Sequence, residues 1–150
     1  MDPNNVSSPW LETTVQSGSI STNSAMIALE RAETSNGTVS SETIAYLAAE
    51  TNINDNIVVN GGNSIILKTL TTPDNISGFD NGCFNNNYNG GAFTTTPFVI
   101  AQQISRDGGD GGWLRRCNIN SSQIGLTVDE DRAADSERAH TTESAALFAF

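Results

Sequence analysis

The sequence predicts an all-β protein, and three observations carry that expectation. Turn chemistry is dense along the whole chain, with 13 Gly and 4 Pro set among runs of Asn and Ser. Long stretches of helical periodicity are hard to find. Two β-branched runs, Ile57-Val58-Val59 and Ile65-Ile66-Leu67, flank Asn60-Gly61-Gly62-Asn63, a strong hairpin signal.

Taken in order, residues 1–9 read as a flexible or strand-tethered arm. Val15 to Leu29 mixes small polar and apolar residues in a way that suits strands better than a helix. The hairpin follows. Thr71 to Gly91 carries the run FNNNYNGG, has no period and reads as a loop; loops of that length are usually functional or held down by contacts. Thr94 to Ile104 is a buried-strand candidate that Pro97 introduces. The cluster DGGDGG, Asp107 to Gly112, must turn, and Trp113–Ile119 and Gln123–Val128 supply two more strands.

The chain also repeats itself. SETIAYLA (Ser41 to Ala48) returns as TESAALFA (Thr142 to Ala149), with Glu42 and Glu143 standing 101 positions apart. Upstream of each copy lies an apolar run ending in acids, MIALERAE and IGLTVDED, and before that a Trp-Leu pair, Trp10-Leu11 and Trp113-Leu114. Three landmarks in register suggest an internal repeat of roughly one hundred residues, a usual size for a small domain. Residues 10–50 then form a partial repeat carrying only back-half strands, and 51–150 form a complete one. An incomplete unit must bury its apolar face on its own chain or on another copy. The secondary structure of the repeated segment is balanced between two readings: SSETIAYLAAE has a Ser cap, an early Glu and good helix formers, while TTESAALFAF suits a strand buried on both sides.

Composition excludes some classes. The formal net charge is -10, from 17 acids against 7 Lys and Arg. Arg115-Arg116 is the only basic doublet, so no patch for nucleic-acid phosphates is expected. No run approaches the roughly eighteen apolar residues of a membrane span, and Met1-Asp2-Pro3 does not open a signal peptide. Asn, Ser and Thr are abundant and charged residues make up only 16%, a balance that points to an extracellular or cell-surface protein. Cys83 and Cys117 are too few for a disulfide scaffold. They would close one bridge in an oxidising compartment, or stand as two separate buried thiols.

For chemistry, the densest ionisable cluster is Asp129-Glu130-Asp131 with Asp135, Glu137, His140 and Glu143. His140 is the only histidine, which rules out a pair of metal-binding histidines. Its neighbouring hydroxyls, Thr141 and Thr142, are poorly placed for a nucleophile and base. No enzyme is therefore expected, and no resident cofactor. Asp107, Asp110, Asp129 and Asp131 are the candidate oxygen ligands for calcium, although their spacing matches no EF-hand. Phe84, Tyr88 and Asn89 in the Asn-rich loop, with His140 and Glu143, are the candidates for binding a glycan or other ligand.

The stretch from Ile57 to Phe150 resembles repeats of large bacterial surface proteins, the MshQ-like proteins of mannose-sensitive pilus systems, and through them the H-type lectin sandwich. Pro97, Gly108-Gly109-Asp110, Arg115 or Arg116 with Asn118, Asp129 to Asp131, and His140 to Glu143 carry the resemblance. The cysteine pair and the Asn-rich insertion around 80–91 depart from it. The resemblance implies an antiparallel β-sandwich and resolves the repeated segment in favour of a strand in both copies. Two functions are consistent with it: a self-assembling subunit of an extracellular filament, fibre or appendage, and a lectin-like adhesin module that reads glycans through its loops.

Overall fold

The computed structural model describes residues 11–31, 39–109, 111–133 and 135–150. The expected arm at 1–9, Trp10 and Asp110 lie outside them. Nine strands make up the described fold, together with one short 3-10 turn at Phe79–Asn81 and no α-helix. They are β1 (Leu11–Val15), β2 (Ile27–Arg31), β3 (Asn54–Val58), β4 (Ser64–Thr71), β5 (Phe84–Asn87), β6 (Val99–Gln103), β7 (Gly112–Ile119), β8 (Gln123–Glu130) and β9 (Ala145–Ala149). All strand pairs are antiparallel.

Two sheets face each other, one of order β3-β4-β9-β6 and one of order β5-β8-β7. Their shared core follows the period of two that a strand imposes. From β8 come Ile124, Leu126 and Val128, from β9 Ala145, Leu147 and Ala149, and from β4 Leu70. Ile76 and Tyr88 close the core from the connecting segments. Lys68, on the same face of β4 as Leu70, is also buried, where its ammonium donates to the Gly91 carbonyl at 2.6 Å and lies 4.7 Å from the centre of the Phe93 ring.

Turn chemistry sets the registers. The β3–β4 hairpin turns through Gly61 and Gly62, at φ 85° and 76°, a region that side-chain-bearing residues rarely occupy. Between β7 and β8, the Asn120 side chain accepts the Ser122 and Gln123 amides at 2.8 and 3.0 Å, so this Asn builds the turn. A bulge between Arg116 and Asn118 interrupts the β7 ladder at Cys117. The extra residue re-aims that side chain, and Cys117 is bonded to Cys83, 34 positions away. The bridge crosses the outer face of β8 above Gly125, where any Cβ would stand 2.3 Å from the Cys83 sulfur.

The observed strands correct three expectations. Thr71 to Gly91 is not all loop, because its FNNN run forms β5. That strand is placed by backbone pairing with β8 and needs no apolar alternation. The span from Val15 to Leu29 is mostly a connection between β1 and β2, which pair only with each other as a separate hairpin. This hairpin sits on the β6–β7 connection of its own chain: Thr14 donates to the Ser105 carbonyl, Ser17 to Asp107, and Arg106 binds Glu30.

The third correction concerns the repeat. TESAALFA supplies β9, held between β4 and β6, whereas SETIAYLA joins none of the three sheets. Its Tyr46 and Leu47 are 81% and 65% exposed. The difference lies in the anchor. Glu143 enters β9 from a buried network that includes His140, while the first copy has Val39 at the position of His140.

Candidate functional site

The densest polar chemistry inside the protein lies where β9 begins. The His140 imidazole is buried between two carboxylates: its Nδ1 meets Glu130 at the end of β8, and its Nε2 lies 3.1 Å from Glu143. Each ring nitrogen faces a carboxylate oxygen, an environment that favours the doubly protonated imidazolium. Glu143 is fully buried. It also accepts the Ser105 hydroxyl and the Asp107 and Gly108 amides, the last two at 2.9 and 3.2 Å. Ser105 in turn accepts the Ser144 amide at 2.7 Å.

Charge sets the ionisation of this network. Burial alone would lower the His140 pKa, but hydrogen bonds to Glu143 and Glu130 and their charges outweigh it, and the value is raised. Burial alone would raise that of Glu143. The His140, Ser105 and backbone hydrogen bonds overcome it, and the value is lowered. The Ser105 hydroxyl faces Glu143 and not the imidazole, so the serine and histidine are not arranged as nucleophile and base. The arrangement ties the β8 end, the β9 entrance and the turn after β6 together.

The glycines of the DGGDGG turn belong to this network. A Cβ on Gly108 would stand 2.2 Å from the imidazole Cε1, and one on Gly112 would stand 3.3 Å from it. The turn therefore needs glycine for space around a buried ring as well as for bending. Glu130 stands in the ionisable cluster legible in the sequence, whereas Ser105 and the role of these two glycines escape it, since nothing local marks a contact such as that of Ser105 with Glu143, 38 positions apart.

The ligand candidates separate into two places. His140 and Glu143 lie inside the protein, away from the Asn-rich loop. Tyr88 and Asn89 lie near the opposite end of β8, about 23 Å away at ~3.3 Å per residue. Tyr88 is itself buried, edge-on to Phe93 at 5.2 Å, and Phe84 is half-buried against the core. These rings anchor the loop.

Asn89 does reach a concave surface. An open cleft of about 360 Å³ is lined by Asn52, Asn75, Asn85, Asn86, Asn87 and Asn89, with Leu70, Thr71 and Pro73. The Asn75 Oδ1 is buried there without a hydrogen-bond partner. Six carboxamides give a neutral surface of paired donors and acceptors. The repeated Asn of FNNNYN was the visible signal, but Asn52 and Asn75 come from distant segments.

The described calcium candidates, Asp107, Asp129 and Asp131, do not converge. Asp129 binds Arg138 at 2.5 Å and has Arg115 at 3.9 Å, cations that compete with a metal. Asp107 accepts Ser17, and Asp131 accepts the Ala133 amide at 2.8 Å. Among the described residues no three His, Cys, Asp or Glu side chains are grouped to hold an ion, and no helix is long and apolar enough to cross a membrane.

A second carboxylate departs from ordinary behaviour. Glu12 stands directly across the β1–β2 ladder from Glu30. Its pKa is pushed up to about 7, first by burial and further by Glu30, against the opposing pull of Arg115.

No protein-family model, no curated protein and no solved structure matches this chain.

Proposed function

We propose that this chain is a non-enzymatic structural subunit of an extracellular assembly, joining copies of itself through β contacts. The observation that carries this reading is the outer face of the β3-β4-β9-β6 sheet. Strand alternation places Ile57, Ile65, Leu67, Phe98, Ile100, Phe148 and Phe150 on the side away from the core. Phe98 is 79% exposed and Ile100 52%. Monomeric proteins rarely present a continuous apolar patch of this kind.

The β3–β4 hairpin strengthens the case. The pairing of β4 with β9 stops at Lys68–Ala149, so residues 64–67 extend past the sandwich with β3 as their only ladder partner among the described residues. Val58 and Ile66, on the opposite side of this hairpin from Ile57, are exposed as well. Of the acids in the chain, only Asp55 falls on the outer face of these four strands. Copies of like charge can therefore approach there with little repulsion. The Cys83–Cys117 bridge supports maturation in an oxidising compartment. In this reading the likeness of SETIAYLA to TESAALFA marks one and a half copies of a surface-protein repeat.

Sedimentation velocity across a concentration series tests the proposal. The native chain should associate with rising concentration, and a Phe98→Asp/Ile100→Asp variant should remain monomeric with an unchanged melting temperature. A native chain that stays monomeric at millimolar concentration would refute the proposal.

A second reading, a lectin-like module, draws support from the asparagine cleft, since neutral carboxamides suit the hydroxyls of a sugar. Its test is a glycan array probed with the native chain and with Asn85→Ala/Asn89→Ala. Binding that the variant loses is the expected result. No binding by the native chain, or equal binding by both, removes this reading.

A further inference from the structure

We infer that residues Ile44–Ala48 of one copy add as a strand to the free edge of β3 in a second copy. This inference rests on the assembly reading above and names the piece of chain that makes the contact.

The donor is a strand by sequence that has no place in a sheet. Ile44–Ala48 matches β9, Ala145–Ala149, position by position at the same offset of 101: Ile for Ala, Ala for Ala, Tyr for Leu, Leu for Phe and Ala for Ala. The β9 copy lies between two neighbours. The first copy joins none of the sheets and leaves Tyr46 and Leu47 in solvent. A segment able to form a central strand thus stands outside the ladders.

The acceptor is equally specific. Of the two edges of its sheet, β6 is approached by the β1–β2 hairpin through Gln102 and Thr13, whereas β3 is exposed at all five positions. A bare edge is a template for another strand. The two elements also match in character. In a strand, Ile44, Tyr46 and Ala48 point to one face, and Ala45 and Leu47 point to the other. The protruding hairpin is apolar on both faces, through Ile57 and Ile65 on one side and Val58 and Ile66 on the other. Residues 43–49, TIAYLAA, carry no charge, so the contact brings no like charges together. The β7 edge suits this donor poorly, because its exposed positions include Arg115, Arg116 and Asn118.

The chain's own geometry directs the donor outward. Thr69 of β4 binds the Glu50 carbonyl through its hydroxyl, receives the Asn52 amide at 2.9 Å and donates its own amide to Ile53 at 3.0 Å. These bonds hold the root of the donor on the β4 side of β3, away from the free edge. Pairing between copies in one direction leaves a donor and an acceptor at the two ends, which is the head-to-tail arrangement that propagates a filament.

The experiment compares the native chain with Tyr46→Pro by sedimentation velocity, alongside hydrogen exchange at the β3 amides. Proline removes a backbone donor at an exposed position outside the ladders, so the fold should survive, and an unchanged circular dichroism spectrum checks this. The expected result is association of the native chain with slowed exchange at Asn56 and Val58, whose amides point away from β4, and loss of both in the variant. A capped peptide of residues 43–49 should bind the variant and slow the same amides. If Tyr46→Pro associates as the native chain does, this inference is overturned and the assembly reading stands. If the peptide fails to slow exchange in β3, the acceptor assignment is overturned. If the native chain never associates, both the assembly reading and this inference fall.

Discussion

Replacing His140 with alanine should be the most damaging single substitution in the protein, lowering folding stability by about 3–5 kcal/mol, the usual cost of breaking a buried ion pair from one side. The ring fills the space beside Gly108 and Gly112 and is the cation between Glu130 and Glu143. Without it, two buried carboxylates confront each other. Urea denaturation at neutral pH measures the loss. The double variant His140→Gln/Glu143→Gln should recover part of it, since the charge conflict goes with the second change. A His140→Ala protein within about 1 kcal/mol of the native chain would mean that the network contributes little.

The same groups give stability a definite pH dependence. His140 titrates higher in the folded state than its ordinary 6.5. Its contribution is fully present below 6.5 and is lost as pH rises through the folded value. Glu143 is held below its ordinary 4.5, so its contribution is present above 4.5 and is lost as pH falls through the folded value. Glu12 shifts upward from 4.5 to about 7, so the folded state favours its protonated form, and stability declines as pH rises through that interval. The melting temperature should therefore be higher near about pH 5.5 than near about pH 8, by the linkage between folding and proton binding. Glu12→Gln should remove part of that decline, and His140→Ala the part above pH 6.5. A flat profile over this range would contradict the assigned ionisation.

Reducing the Cys83–Cys117 bridge should be the second large effect. Closing a loop of this length stabilises by roughly 3–4 kcal/mol in the chain-entropy model, which for a chain of this size corresponds to a melting temperature lower by roughly 10 °C. The bridge also has a local task, because it joins the start of β5 to β7 across the central strand β8. The FNNN strand has few apolar contacts of its own, so exchange of its amides should accelerate first on reduction. Equal melting with and without reductant would argue against this account.

How much of this was legible depended on whether the signal was local. The hairpin around Gly61-Gly62 and strands β7 and β8 are encoded by neighbours in sequence, through turn residues and alternation, and they could be read directly. Strand β5 could not be read, because Phe84–Asn87 takes its place from the pairing with β8 and the disulfide, and neither leaves a mark in FNNN. SETIAYLA shows the converse limit. Its residues have the character of β9, but a strand exists only where an edge receives it, and similarity of pattern does not supply the edge. The candidate site divides in the same way. His140 and Glu143 stood out as chemistry-bearing residues, yet their burial depends on Ser105, Gly108 and Gly112 from another part of the chain.

The solitary lysine carries one more consequence. Lys68 is the only lysine in the sequence, and in the folded protein its ammonium is enclosed between the Gly91 carbonyl and the Phe93 ring. Acylating dyes, amine-coupling resins and lysine-directed cross-linkers therefore meet no exposed side-chain amine on the native surface. The ammonium becomes available only when the segment from Tyr88 to Phe93 lifts away from β4. The rate at which Lys68 is acylated thus times the opening of that segment, with a built-in reporter atom and no introduced label.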